Sequence, residues 1–556
     1  MSYILIPQIV TENSAMIWVG AIDESVRTLS VYLEYKENNQ NEKPSTLELA
    51  PSEWRTWKTR HPLEKTDKDS KVKSLHYQRV TIKLDKPHTK YTVKLLVGKP
   101  DSNAEDTLTA NFQDYSKVLD REVSAPVEAT EHLTKATVTT LPKSIPAKPA
   151  VPFKIMLGSC FYQPNDPDGL VGQSFIYLPE QARPDIKFLC GDQVYLDNPW
   201  MDTTLNLKTA FSKKENMRSF FFDKYLKTWT QVSKVETGET DEDGKPKTKA
   251  IGGFNLLLRN GANYFCSDDH EFWNNAPNFG GVGFALTFFL WQKRWWFREA
   301  SELFRVFQSL AAWMTFDVSP VSFCIADTRI NRTEHNLIKE DLDATFMEPD
   351  DLKAIGKWIE NLKGPGVLVL GQLLLTDNAD WKKTFRNLSG ASLWTRIKES
   401  FGDYFDFGLP DFPTQYNELI GYIKRSKHSI VLLTGDVHFG RLAVCKVDAN
   451  SDVDFIEVIS SPMSVVKIDE EHTGIGTYED APERFGTKVT SIPIASSDGE
   501  KPVAQNHFTT LEFSRNSETD SEVEMKIIAW KIVDQIGDKN NPNRPFPIDV
   551  KTIVLK

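Results

Sequence analysis

Five short apolar runs in the middle of the chain each end in an acid, a thiol or a histidine: KIMLGSC at 154–160, KFLCGDQVY at 187–195, NYFCSDDHE at 263–271, SFCIADTR at 322–329 and IVLLTGDVH at 430–438. Runs this short, bounded by turn residues, read as buried strands rather than helices. Polar groups at the carboxyl ends of such strands open on one crevice, which is how an α/β sheet builds a site. The end residues Cys160, Asp192, Tyr195, Asp268, Asp269, His270, Asp436 and His438 read as a metal cluster. Any one Asp or His after a strand is often a turn residue or a helix cap, because its side chain bonds nearby backbone amides. Five strand ends in GS, GD, DDH, ADT and GD instead point to one shared site.

At 556 residues the chain exceeds what one core usually holds, so two or three domains are expected. Residues 1–115 alternate or cluster β-formers between polar turns (SAMIWVGA, TLSVYLEYK, YQRVTIKL, YTVKLLVG) and predict a β-sandwich of the fibronectin or immunoglobulin kind. The stretch 116–150 turns to Lys, Ala, Thr, Glu and Pro and reads as a linker. The catalytic α/β body is expected over 151–480, and 481–556 is expected to form a β-hairpin packing back on it. Within the body, 203–234 and the Trp-rich 285–313 read as helical; the aromatic stripe of the latter reads as core before cleft lining. The run TGETDEDGKPKTK at 237–249 reads as a solvated loop.

A net charge of −11 argues against a general nucleic-acid binder, so no specific nucleic-acid partner is expected. The five cysteines make no disulfide framework and read as mostly buried free thiols. No apolar stretch reaches the length of a membrane span. The amino terminus lacks a secretory pattern, which predicts a cytoplasmic protein, or a secreted one if a leader has been removed.

The residue types suggest phosphoester chemistry. Two cations about 3.5–4 Å apart can clamp phosphoryl oxygens and lower the pKa of a bound water. Asp192 is the best bridging carboxylate, because Gly191 allows a sharp exit from its strand. Tyr195 could return a phenolate and Cys160 a thiolate to the same ion, a set that favours ferric iron or zinc over magnesium. In DDHEFWNN, Asp269 reads as a ligand of the second cation and His270 as the group protonating the leaving oxygen, oriented by Asp268 or Glu271, with Asn274 and Asn275 in the same turn. The competing reading is a loop with a capped helix start. Asp436 and His438, two apart in an extended segment, point to the same side. Arg329 reads as a phosphate clamp, with a salt bridge to an acid as the alternative.

GSC, GDQVY, DDHE, DTR and GDVH, in this order, resemble the alkaline phosphatase D (PhoD-like) branch of the calcineurin-like metallophosphoesterases. The likeness runs from the WVGA strand to the final hairpin. It implies two mixed sheets flanked by helices behind an N-terminal β-domain. It also implies a phosphomonoesterase or phosphodiesterase that uses iron with calcium or another divalent pair at a di- or multinuclear centre. By the resemblance Cys160, Asp192, Tyr195, Asp269, Asp436 and His438 are metal ligands, and His270 stands near the scissile phosphate. Where most of the superfamily carries DxH at the first strand and GHxH at the last, this chain has Ser159-Cys160 and Asp436. Gln372 in VLVLGQLLL stands where a further histidine ligand is usual, and calcium, ahead of magnesium or manganese, would accept its oxygen. The expected substrate is a small-molecule or polymer phosphoester. A second reading is a non-catalytic, metal-stabilised binding protein whose β-domain holds a partner or polymer. Neither a G-x-S-x-G elbow nor a P-loop is present.

Overall fold

A computed structural model describes residues 3–22, 30–38, 43–59, 73–98, 134–197, 214–240, 246–278, 290–309, 311–335, 344–376, 407–464, 486–494, 506–518, 521–532 and 547–556. It is a mixed α/β structure with several sheets. All five apolar runs are strands: β9 (Phe153–Gly158), β10 (Ile186–Cys190), β13 (Ala262–Cys266), β15 (Val321–Ala326) and β17 (Ile430–Thr434).

Two sheets form the body. One has the order β13-β10-β9-β21-β22-β23, where β21 (His507–Ser514), β22 (Val523–Lys531) and β23 (Pro547–Leu555) come from the C-terminal region. The other has the order β14-β15-β16-β17-β19-β18-β20, with β14 (Trp313–Val318), β16 (Gly366–Val369), β18 (Gly440–Lys446), β19 (Asp454–Ile459) and β20 (Thr490–Ile494). Strands β9, β10 and β13 run parallel, as do β15, β16, β17 and β19. Both groups therefore deliver their carboxyl ends as sets.

Alternation along the strands decides the layering. Phe153, Ile155 and Leu157 of β9 share a core with Phe323, Val367 and Val431 of the other sheet, so the two sheets pack face to face. The intervening residues point outward. Met156, Leu189 and Phe265 pack under α1 (Leu170–Ile176), α2 (Lys214–Trp229), α3 (Phe254–Arg259) and α4 (Leu290–Phe307). Cys324, Leu368 and Leu432 pack under α5 (Pro349–Glu360) and α6 (Pro413–Lys424). Burying each such aliphatic side chain contributes about 1.5–3 kcal/mol, so these layers hold the strand ends rigidly. The aromatics of α4 belong to the core: Trp296 donates to the Phe272 carbonyl at 2.7 Å, and Phe307 packs on Trp229 and Tyr225.

Two four-stranded sheets precede the body, β1-β2-β6-β5 and β4-β3-β7-β8. Their strands are β1 (Tyr3–Val10), β2 (Ser14–Ala21), β3 (Ser30–Glu37), β4 (Ser45–Glu48), β5 (Arg55–Lys58), β6 (Ser74–Lys83), β7 (Lys90–Gly98) and β8 (Lys135–Thr139). Strand β8 lies inside the stretch expected to be linker; its Ala136 and Val138 are buried and it pairs with β7, so it completes the second sheet. These sheets are docked rather than tethered. Asn263 Nδ2 donates to the Pro7 carbonyl at 2.7 Å, Trp18 Nε1 to Val306 at 2.8 Å, and the Val10 N–H to Tyr264 Oη at 3.2 Å.

Two further expectations need correction. The C-terminal hairpin does not merely rest on the body, because β21 pairs antiparallel with β9 and extends the site-bearing sheet. The described ends of the 237–249 run are strand rather than solvated loop: β11 (Val232–Thr240) and β12 (Pro246–Gly252) pair antiparallel, with Val235 opposite Lys249, and 241–245 lie outside the described residues. The paired backbone satisfies itself whatever the charge of the side chains. The expected helical segment at 203–213 lies outside the described residues. No helix among the described residues is long and apolar enough to cross a membrane.

Candidate metal centre

The strand ends of the two sheets meet, and the backbone there is unusual. Among the described residues six non-glycine positions have positive φ, and five belong to these loops: Cys160 at 56°, Asp192 at 60°, Asn275 at 68°, Asp436 at 73° and His438 at 58°. A left-handed conformation costs an L-residue about 1–2 kcal/mol, so surrounding contacts must over-determine it, and such positions gather at functional sites. Gly191 has φ +86°, and a Cβ there would stand 2.4 Å from Asp268 Cβ. Only glycine lets these two loops approach.

Glu271 supplies much of the over-determination. Its buried carboxylate accepts the N–H of Asp192 at 2.8 Å, of Gln193 at 2.7 Å and of Asp268 at 3.0 Å, tying the β10 loop to the β13 loop. Cys160 and Phe161 then donate their N–H groups to the carbonyls of Gly191 and Asp192 at 3.2 and 2.8 Å, which adds the β9 loop.

Candidate donor atoms converge on this frame. One donor atom each from Asp192, Asp269 and His270 lie within 4.8 Å of one another, as do one each from Asp192, Asp268, Asp269 and Asp436. This buried group could hold a metal ion. Cys160 Sγ is 3.5 Å from Asp192 Oδ2 and 3.3 Å from the Asp436 carbonyl. Tyr195 is buried, stacks on His270 with ring centroids 4.2 Å apart, and meets Tyr162 edge-on. Its hydroxyl and Asp268 Oδ2 are buried polar atoms with no hydrogen-bond partner among the described residues.

The charges show what the donors lack. Burial pushes the Asp192 carboxyl well above the usual carboxylate range, and although His270 pulls it down, Asp269, Asp268 and Glu271 push it up. Burial lifts Glu271 to about 7 against its three N–H bonds. Burial and the Asp192 charge raise the Cys160 thiol, and burial, Cys160 and Asp192 raise the Tyr195 phenol. Asp269 is the exception: His270, Arg329 and the Asn275 N–H, 2.5 Å from Oδ2, outweigh burial and lower it. So many acids in one dry place need positive charge, and a cation is the group that would deprotonate and bind them together.

His270 is oriented by neither Asp268 nor Glu271. Its Nδ1 lies 2.9 and 3.0 Å from the two oxygens of Asp197, a buried acid that also accepts the Asn274 N–H at 2.6 Å. Burial opposes a charge on His270, yet Asp197, Asp269 and Asp192 raise its pKa well above the usual imidazole value. Since the carboxylate only accepts, Nδ1 carries a proton. Sequence reading missed Asp197, although it lies two residues after Tyr195 in the same loop.

Arg329 is not a phosphate clamp. It is fully buried, donating through Nε and Nη2 to Asp268 Oδ1 at 2.9 and 2.6 Å and through Nη1 to the Ala276 carbonyl at 2.8 Å. Its guanidinium holds the β13 loop. Gln372 is buried beside the cluster: Arg332 donates to its Oε1, the atom expected to ligate, and its Nε2 donates to Asp436 Oδ2 at 3.4 Å. His438 donates its N–H to Ser461 Oγ at 3.1 Å; burial, with His270 nearby, lowers its imidazole to about 4, so it is neutral and able to ligate. Asn275 serves as a brace, accepting the Phe407 N–H at 3.0 Å.

Comparison with protein-family models, with curated proteins and with solved structures finds no match to this chain.

Proposed function

We propose that this protein is a metal-dependent phosphoesterase, hydrolysing phosphomonoesters or phosphodiesters, of the kind its motifs resemble in the PhoD-like branch of the calcineurin-like metallophosphoesterases. The observation that carries this reading is that two overlapping groups, Asp192 with Asp269 and His270, and Asp192 with Asp268, Asp269 and Asp436, bring donor atoms together from three strand ends. Buried carboxylates packed this closely, beside a thiol and a phenol, suit a pair of cations better than any neutral ligand.

In this reading Cys160, Asp192 and Tyr195 hold a thiolate-tolerant ion, ferric iron before zinc, while Asp269, Asp436 and His438 hold a harder divalent one, calcium before magnesium or manganese. When bound, such cations supply Lewis acidity and a hydroxide near neutral pH. The chain's own residues do the rest. Asp197 keeps His270 protonated at Nδ1 and fixes its ring, with Tyr195 stacked against its face. In this reading His270 is the group that stabilises or protonates the leaving oxygen. Glu271 and Arg329 hold the Asp192 and Asp268 loops in register.

The test is hydrolysis of a nitrophenyl phosphate and a bis-nitrophenyl phosphate by the purified full chain, with and without added divalent ions. Turnover that is lost in Asp192→Asn and after chelation supports the reading. Metal binding with no turnover of either ester under any supplement would overturn it.

A further inference from the structure

A second site lies at the other end of the same strands. A cavity of about 470 Å³ opens where the N-terminal sheets meet the body, lined by His88, Lys90, Lys154, Phe175, Ile176 and Arg183 among others. Lys154 is the second residue of β9, and Asp185 and Gly261, also in its wall, precede β10 and β13, so it sits at the amino ends of strands whose carboxyl ends carry the candidate metal cluster. Its volume falls in the range of pockets that hold small organic ligands.

Two independent features say what it would hold. The first is charge. Lys90, Lys154 and Arg183 line it with Asp185 and Glu180, and Lys154 and Arg183 are held by neutral carbonyls. Lys154 Nζ donates to the Gln181 carbonyl at 3.0 Å, and Arg183 donates to the Ile176 and Leu178 carbonyls at 2.9 and 3.3 Å. Asp185 is already engaged, accepting the Lys154 N–H at 2.9 Å and facing His88 at 3.7 Å. Burial and then Arg183 lower the Lys90 amine while Glu180 and Asp185 raise it, and a bound anion would act in the same sense as those two carboxylates.

The second feature is apolar. Of the four large hydrophobic side chains that are strongly exposed among the described residues, Val151, 60% exposed, lies in this wall. Together with Phe175 and Ile176 it gives a cationic pocket an apolar side. Small-molecule pockets combine an apolar lining with a few placed polar groups.

We propose that this cavity binds a small organic anion, a phosphate or carboxylate group on an apolar body, with the anionic head at Lys90 and Arg183 and the body against Phe175, Ile176 and Val151. The ligand is not the substrate of the metal centre, which lies beyond the opposite ends of β9 and β10.

Isothermal titration calorimetry of the full chain with phenylphosphonate and with benzoate tests this and identifies which head group is preferred. Expected is a Kd of about 1 mM or tighter for at least one probe, weakened about tenfold or more in Lys90→Glu and in Val151→Asp, and retained in Asp192→Asn. Circular dichroism confirms that each variant is folded. No binding of either probe up to about 10 mM overturns the proposal. So does binding that survives Lys90→Glu and Val151→Asp, or that disappears in Asp192→Asn, since the probe then sits at the metal centre. Because the readout is binding, absence of phosphoesterase activity leaves this result intact.

Discussion

The Asp197 carboxylate straddles His270 Nδ1 at 2.9 and 3.0 Å, across 73 residues of sequence. It sets the imidazole tautomer and the ring plane, so His270 should depend on it. Asp197→Asn is expected to lower kcat on a nitrophenyl phosphate about 100-fold, with KM and metal content little changed. Metal loss in parallel with activity would instead make Asp197 a support of the ion site.

Cys160 distinguishes a soft ion site from a purely oxygen-ligated one. Elemental analysis of the purified protein is expected to find a transition metal, and Cys160→Ala to lose most of it while the divalent partner remains exchangeable. Full transition-metal content in that variant would remove the thiolate from the ligand set.

Arg329 and Asp268 form a fully buried pair. Removing one partner leaves an uncompensated buried charge, so Arg329→Ala should destabilise the fold by about 3–5 kcal/mol, read by denaturant unfolding. A near-normal stability with a raised KM would restore the phosphate-clamp role.

Gly191→Ala places a Cβ at φ +86° and 2.4 Å from Asp268 Cβ. Expected is a loss of about 1–3 kcal/mol together with weakened metal binding, because the β10 and β13 loops must separate. Thermal melts with and without chelator measure both effects.

Asp166 caps α1, accepting the Leu170 N–H at 2.6 Å, yet burial raises its carboxyl from 3.8 to about 7. The folded state therefore holds a proton that the unfolded chain has released between about pH 4 and pH 7, and stability contributed by this group falls as pH rises through that window. Asp166→Asn is expected to flatten this part of the profile and to gain on the order of 1 kcal/mol or more at pH 8. An unchanged slope in urea melts from pH 5 to pH 8 would show that Asp166 stays ionised throughout.

The strands were legible because each is a short local pattern: five apolar runs bounded by Gly, Ser or Asp become β9, β10, β13, β15 and β17. Their end residues were legible as candidate ligands because chemistry resides in residue type, and Asp192, Asp269, His270 and Asp436 do converge. Strand β8 was missed because Lys, Thr and Pro around it mask two buried positions, Ala136 and Val138, that only pairing with β7 reveals. The strand ends within 237–249 were read as solvated loop for the related reason that backbone pairing tolerates charged side chains.

Local sequence thus determined where strands end and which donors stand there. Only the tertiary structure decided which donor faces which partner. His270 meets Asp197 rather than its neighbours Asp268 and Glu271, and Arg329 turns inward to Asp268 rather than outward to a substrate. These pairings depend on β10 lying between β9 and β13 and on the second sheet closing over the first. Sheet order is fixed by the summed burial of many side chains, and no window of the chain short enough to read by pattern contains that sum.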